Sequence, residues 1–278
     1  MRLKWFCAGA LLITLAAALA WRVVAGAPGG REDVNQKAIP VASEHHHHLS
    51  FQNQYVRVFE VSLAPNESTL LHRHDNDYIY ISIGDARVST TIPGQAEAYS
   101  KLTNREVRYV QGGFAHVVHN DGDQEFRAAD VDLVQPQGKV RNLCLQVSAS
   151  EPLACPEAPE TGAKDAGYTI TPEFETDRTR VILIRLQPQR EVPLSGGKWE
   201  ELIVSVEESV LAPAAGKGPE RLLHPGDFAW LGRGGMARVL KNNGVAEAWI
   251  YKFEFQPSSP GKEASGPIVG AQLAPKKP

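Results

Sequence analysis

The strongest constraint on this chain is that it repeats itself. Val58-Phe59-Glu60-Val61-Ser62-Leu63-Ala64-Pro65 returns 123 positions later as Val181-Ile182-Leu183-Ile184-Arg185-Leu186-Gln187-Pro188. At the same offset Ile79-Tyr80-Ile81-Ser82-Ile83 meets Leu202-Ile203-Val204-Ser205-Val206. Gln111-Gly112-Gly113-Phe114-Ala115 then meets Arg233-Gly234-Gly235-Met236-Ala237, offset by 122, and Asn120 falls on Asn242. Three separated blocks at nearly one spacing mark a duplication, so whatever one half folds into, the other half folds into as well.

The repeated blocks have the character of strands. Tyr55 to Leu63 alternates apolar and polar residues as a half-buried strand does. Tyr78 to Ile83, Val107 to Val110, Ala115 to His119 and Val140 to Val147 follow, separated by Gly, Pro, Asn and Asp. Short strands at regular spacing with turn residues between them predict an all-β sandwich or barrel. The expected organisation is a linker over residues 28–49, a first domain over 50–149, a connector over 150–172, a second domain over 173–257 and a disordered tail over 258–278. His45-His46-His47-His48 falls in that linker and is expected to be solvated; the alternatives are that it binds metal loosely or folds over the mouth of the first barrel.

The N-terminus has a different composition. Arg2 and Lys4 precede an apolar run from Trp5 to Trp21, and Ala25-Gly26-Ala27 supplies small residues for cleavage. That pattern predicts a signal peptide over residues 1–27 and a periplasmic or secreted protein; the alternative is an uncleaved membrane anchor over residues 5–25. Cys144 and Cys155 then remain, either paired in an oxidising compartment or as separate thiols. A net charge of −3 with no basic block argues against nucleic acid as a partner.

Chemistry concentrates in the first copy. His72 and His74 are two apart, so on a strand both imidazoles face one side. His116 lies on a later strand and shares a face with Val118 and Asn120, whereas His119 has the opposite parity and is expected to face outward. Three neutral imidazoles converging inside a β fold suit one divalent transition metal, Fe2+, Mn2+, Ni2+ or Zn2+. Three buried histidines without such a partner would be costly to desolvate.

These motifs resemble the cupin superfamily, and their duplication resembles a bicupin. The family's His-x-His…Gly element appears as His72-Arg73-His74 with Gly84, and its Pro-x-Gly-x2-His-x3-Asn element as Gln111-Gly112-Gly113-Phe114-Ala115-His116 through Asn120, with Gln111 in the proline's place. The resemblance covers roughly residues 50–256 and implies two tandem jelly-roll barrels. The family's glutamate position, four or five beyond His74, holds Tyr78 or Ile79. The implied site is therefore three histidines, as in cupin-type dioxygenases that leave open positions on iron(II). Tyr78 is the candidate supporting hydroxyl, Asp77 a candidate fourth ligand, and both also fit as plain turn and wall residues. Family habit also implies a homodimer.

In the second copy the histidines are gone: at the repeat spacing His72, His74 and His116 fall on Ser195, Gly197 and Arg238. Glu201 takes the glutamate position and is a candidate ion-pair partner of Arg238. Trp199, Trp230 and Trp249 all lie in this half, as core packing or as the lining of an apolar pocket. Two functions follow. One is an exported metal-dependent enzyme, dioxygenase-like, acting on a small molecule through His72, His74 and His116. The other is a non-catalytic small-ligand or interaction protein with a structural or vestigial metal.

Overall fold

A computed structural model describes residues 37–142, 146–147, 166–194, 197–216, 218–233 and 237–256. The signal or anchor segment, Cys144 and Cys155, most of the connector and the tail lie outside the described residues. Strands dominate. The first half contains β1 (Ile39–Pro40), a 3-10 turn (Val41–Ser43), β2 (His47–Gln52), β3 (Val56–Leu63), β4 (His72–His74), β5 (Tyr78–Ser82), β6 (Ala86–Thr91), β7 (Ala98–Leu102), β8 (Val107–Val110), β9 (Phe114–Asn120), β10 (Phe126–Leu133), β11 (Arg141–Asn142) and β12 (Gln146–Val147). The second contains β13 (Tyr168–Glu175), β14 (Thr179–Leu186), β15 (Arg190–Leu194), β16 (Glu200–Ser205), β17 (Ser209–Pro213), β18 (Arg221–Leu223), β19 (Phe228–Trp230), β20 (Arg238–Asn242) and β21 (Ala248–Phe255). Among the described residues no helix is long and apolar enough to cross a membrane.

Each half is a pair of sheets. The first pairs a five-stranded sheet, β1-β4-β9-β6-β7, with a six-stranded one, β12-β8-β5-β10-β3-β2. The second pairs a six-stranded sheet, β11-β13-β14-β21-β16-β19, with a four-stranded one, β15-β20-β17-β18. The order β8-β5-β10-β3 recurs as β19-β16-β21-β14, and β4-β9-β6-β7 as β15-β20-β17-β18, so the duplication seen in the sequence is a duplication of topology. The expected barrels are jelly-roll sandwiches whose sheets keep open edges among the described residues, not barrels closed by hydrogen bonds. Residues 39–49, expected as linker, belong to the fold: β1 pairs with β4 and β2 with β3.

The turn after β9 shows how closely the copies match. The Asn120 amide donates to Leu63 O (3.0 Å) and Gln124 O (2.8 Å) and accepts from the Gly122 N–H (2.9 Å). The Asn242 amide donates to Leu186 O and Ala246 O (2.8 Å each) and accepts from the Gly244 N–H (2.9 Å). Each asparagine ties three backbone groups at a corner where no ladder partner exists, which is why this side chain recurs in both copies.

Alternation then sorts the apolar residues into three cores. On β3, Val56 and Val58 face the other half of the molecule, while Phe59, Val61 and Leu63 face into their own sandwich. β5 divides likewise: Ile79 and Ile81 point to the far half and Tyr78 and Tyr80 inward. The two six-stranded sheets pack on each other through the largest core, where Ile79, Val131 and Tyr109 meet Phe174, Leu202 and Phe253. Phe174 stacks on Tyr109 at 4.6 Å between centroids. The second sandwich is filled by Ile184, Leu186, Leu194, Ile203, Leu240 and Ile250.

A histidine nest in the first sandwich

The strand pairing of β4 with β9 sets His72 directly opposite His116, and the two-residue period puts His74 beside them on the same inner face. All three are buried. His72 Nδ1 donates to Leu70 O at 2.9 Å, which fixes the tautomer and leaves the Nε2 lone pair directed inward. That nitrogen lies 2.9 Å from His116 Nε2, and the His74 ring centroid is 5.2 Å from that of His72. His74 Nδ1 is buried without a hydrogen-bond partner.

A fourth imidazole joins them. His47, expected as a solvated linker residue, is buried on β2 opposite Val61, with its ring 4.5 Å from that of His72 and 5.7 Å from that of His74. One nitrogen from each of His47, His72 and His74 falls within 4.8 Å of the others. His47 Nδ1 donates to Glu44 Oε2 at 2.7 Å, so a buried carboxylate orients the ring and presents Nε2 to the nest. Sequence reasoning missed His47 for a physical reason. The β2–β3 register shifts between Leu49 and Phe51, a bulge that puts Phe51 in the core between the halves although parity would place it inward with His47. Four identical residues in a row also carry no alternation to read.

The remaining candidates sort plainly. Tyr78 is buried and lies flat on His74, 3.9 Å between centroids at 16°, so its ring holds the imidazole plane. Asp77 is not free to become a ligand: it accepts from the Tyr109 hydroxyl and, at 3.0 Å, from the Gly112 N–H. Gly112 must be glycine there, since a Cβ would sit 2.2 Å from Asn76 O. His119 faces away and bonds Ser68 Oγ at 2.8 Å. Asp130 on β10, unmarked in the sequence, is buried with Oδ2 3.8 Å from His47 Nε2.

Burial controls the electrostatics. It pushes His72 down to about 4, helped by the charge on His47, and holds His74 and His116 well below the ordinary imidazole range. It raises Asp130 to about 7 and Tyr78 well above the usual phenol range. Burial would raise Glu44 too, but hydrogen bonds from His47, the Leu70 N–H and the His46 N–H prevail and hold it at about 2.

These positions have a consequence for stability. The unfolded chain binds a proton at His72 near the ordinary imidazole value of 6.5, the folded chain only near 4, so protons favour unfolding across that interval. In metal-free protein His72 is expected to cost about 3 kcal/mol as pH falls from 6.5 to 4, with no further loss from His72 below that. Glu44 adds a second loss between 4.5 and 2. Urea titrations of chelator-treated protein at pH 7.5, 5.5 and 4 check this; a flat profile would mean the imidazoles are already hydrated.

Among its described residues the second sandwich has no such nest. Its strand pairing sets Leu194 opposite Arg238 as His72 is set opposite His116, so the counterpart of His72 is Leu194, one residue before the Ser195 that the repeat spacing indicates. Between Leu186 and Leu194 there is one residue fewer than between Leu63 and His72, and by β16 the offset is again 123, with Leu202 answering to Ile79. Glu201 is buried against Lys252 Nζ at 3.6 Å, not against Arg238. The tryptophans are packed against neighbours: Trp230 stacks on Phe255 and Tyr55, Trp249 lies under Arg105, and Trp199 under Arg180.

The nest has an open side. A cavity of about 270 Å³ inside the first sandwich is bordered by His47, His74, His116, Tyr78 and Asp130, with walls of Val61, Leu63, Val118 and Phe126. The tip of the β6–β7 hairpin, at Ile92, Gln95 and Ala96, closes over it.

Fold and site together give two jelly-roll sandwiches in tandem, the first carrying a nest of buried imidazoles beside a cavity. No family model and no curated protein matches the sequence. Solved structures do match in fold. AerE from Microcystis aeruginosa superposes with a TM-score of 0.53 at 11% identity, over 74% of this chain and 90% of that one. Salicylate 1,2-dioxygenase from Pseudoaminobacter salicylatoxidans, in its gentisate adduct, gives 0.52 at 13%, over 73% and 68%. A protein from Pseudomonas aeruginosa described as glyoxylate-induced gives 0.51 at 13%, over 75% and 77%. At such identities what is shared is the fold.

Proposed function

We propose that this protein is an exported, metal-dependent enzyme of dioxygenase type that acts on a small, largely apolar molecule held in the first sandwich. The observation that carries the reading is that three of the nest's imidazoles border the cavity instead of being sealed by protein. A purely structural ion would be enclosed by its ligands, whereas chemistry needs open positions facing a substrate.

The residues fit a divalent ion by three features of the nest. His74 Nδ1 is buried with no partner, His72 and His116 point Nε2 at one another, and burial favours the neutral form of His72, His74 and His116. His72, His74 and His116 would hold the ion, with His47 at hand as a fourth nitrogen. An ion there supplies a Lewis acid and, as iron(II), one-electron chemistry with O2. The rest falls to the chain itself. Val61, Leu63, Val118 and Phe126 exclude water and hold apolar surface of the substrate. Asp130 Oδ2 offers a polar acceptor against that wall, and Tyr78 keeps His74 in plane. Export is supported by the basic start, apolar run and Ala25-Gly26-Ala27 of the N-terminus. The dioxygenase among the fold neighbours supports the reaction class without naming a substrate.

The test is oxygen uptake by untagged protein loaded anaerobically with iron(II), screened against small hydroxylated aromatic and diketone compounds. Substrate-dependent uptake that disappears in His72→Ala/His116→Ala supports the reading. An ion bound in full with ligand affinity but no turnover across the panel would make the protein a ligand-binding module.

A further inference from the structure

The run His45-His46-His47-His48 is only partly explained by the nest. His47 turns inward, but His45 and His46 occupy the turn just before β2, at the surface, with ring centroids 4.0 Å apart. Behind them sits Glu44, whose side chain is fully buried. Its Oε2 receives His47 Nδ1 and the His46 N–H, while Oε1 lies 3.3 Å from His45 Nδ1. His46 Nδ1 donates to Ser62 O at 2.8 Å, so the tautomer is fixed and the Nε2 lone pair is left outward. One donor atom from each of Glu44, His45 and His46 lies within 4.8 Å of the other two.

Charge supplies an independent argument. Among the described residues the ion pairs of Glu44 are with His45 and His47, and none is with a lysine or arginine. An anion this deeply buried is ordinarily matched by a fixed cation. Among the described residues its charge-matching neighbours are the imidazoles of His45 and His47, and imidazoles are also metal ligands.

We infer that Glu44, His45 and His46 form a second divalent-cation site on the rim of the first sandwich, sharing the Glu44 carboxylate with the buried nest. Two nitrogens and one carboxylate oxygen select zinc, nickel or copper over magnesium or calcium, and leave the remaining positions to water. The inference goes beyond the catalytic reading and does not depend on it: the rim site stands whether or not the inner ion does chemistry. Its placement gives it a role in loading, because the same carboxylate orients His47, which borders the cavity.

Zinc titration of untagged, chelator-stripped protein tests it by calorimetry, with circular dichroism confirming the fold of each variant. Wild type should bind two zinc ions per chain, and His45→Ala/His46→Ala one, with the tighter phase retained. His72→Ala/His116→Ala should lose the tighter phase and keep the weaker. If His45→Ala/His46→Ala binds as much zinc as wild type, the rim site does not exist. If only His72→Ala/His116→Ala keeps the wild-type stoichiometry, the inner site fails and the rim site stands. Should the alanine pair not fold, His45→Gln/His46→Gln removes the imidazoles while keeping side-chain bulk.

Discussion

Replacing His74 with alanine is expected to abolish retention of the buried ion. Protein dialysed against a weak chelator should carry about one iron, manganese, nickel or zinc per chain in the wild type and none in the variant. His74 gives the cleanest signal because its Nδ1 has no protein partner to lose. Thermal denaturation provides the companion readout. A ligand that binds only the folded state stabilises it by RT ln(1 + [L]/Kd), about 4 kcal/mol when the free ion is a thousandfold above Kd. Wild type should therefore melt higher with metal than with chelator, and His74→Ala should lose most of that rise. Equal metal-dependent stabilisation in the two proteins would remove His74 from the site and with it the proposed centre.

Phe174→Ala should have the largest effect on stability. Phe174 is fully buried, stacks on Tyr109 from the other half, and sits in the core shared by the two six-stranded sheets. Truncating such a side chain leaves a cavity that packed sheets cannot collapse, at a cost of about 3–5 kcal/mol. The loss should appear in both halves at once. Tryptophan fluorescence reports the second half, where Trp230 packs into that core, and metal release reports the first. Coincident transitions shifted to lower denaturant are expected. Two separated transitions, with metal release unmoved, would show that the seam does not couple the halves.

Much of this was legible in the sequence, and what was not has identifiable causes. The repeat announced the topology because strands carry their own alternation, and Asn120 and Asn242 recur because both close the same backbone corner. His72, His74 and His116 could be placed on one face by counting in twos. Counting failed where the backbone departs from a regular strand. The bulge in β2 hid His47, and one residue fewer before β15 moved the counterpart of His72 from Ser195 to Leu194. Asp77 looked available from its position alone, but the Tyr109 hydroxyl that engages it is 32 residues away and on another strand. The seam was hidden differently. Ile79 and Tyr80 on successive positions show only that both faces of a strand are covered, not that one of them is covered by the other copy.

The shared core also gives the silent second half a purpose that its own residues do not disclose. A sheet with the apolar outer face of β5 and β10 needs a partner sheet, and a lone sandwich would have to find one by collision with another molecule. Here the partner is tethered by the same polypeptide, so its effective concentration is fixed by the connector and does not fall with dilution. The second sandwich covers the apolar outer face of the first. Freed from holding an ion, its interior could fill with Leu194, Leu240 and Ile250 and become the rigid side of the joint.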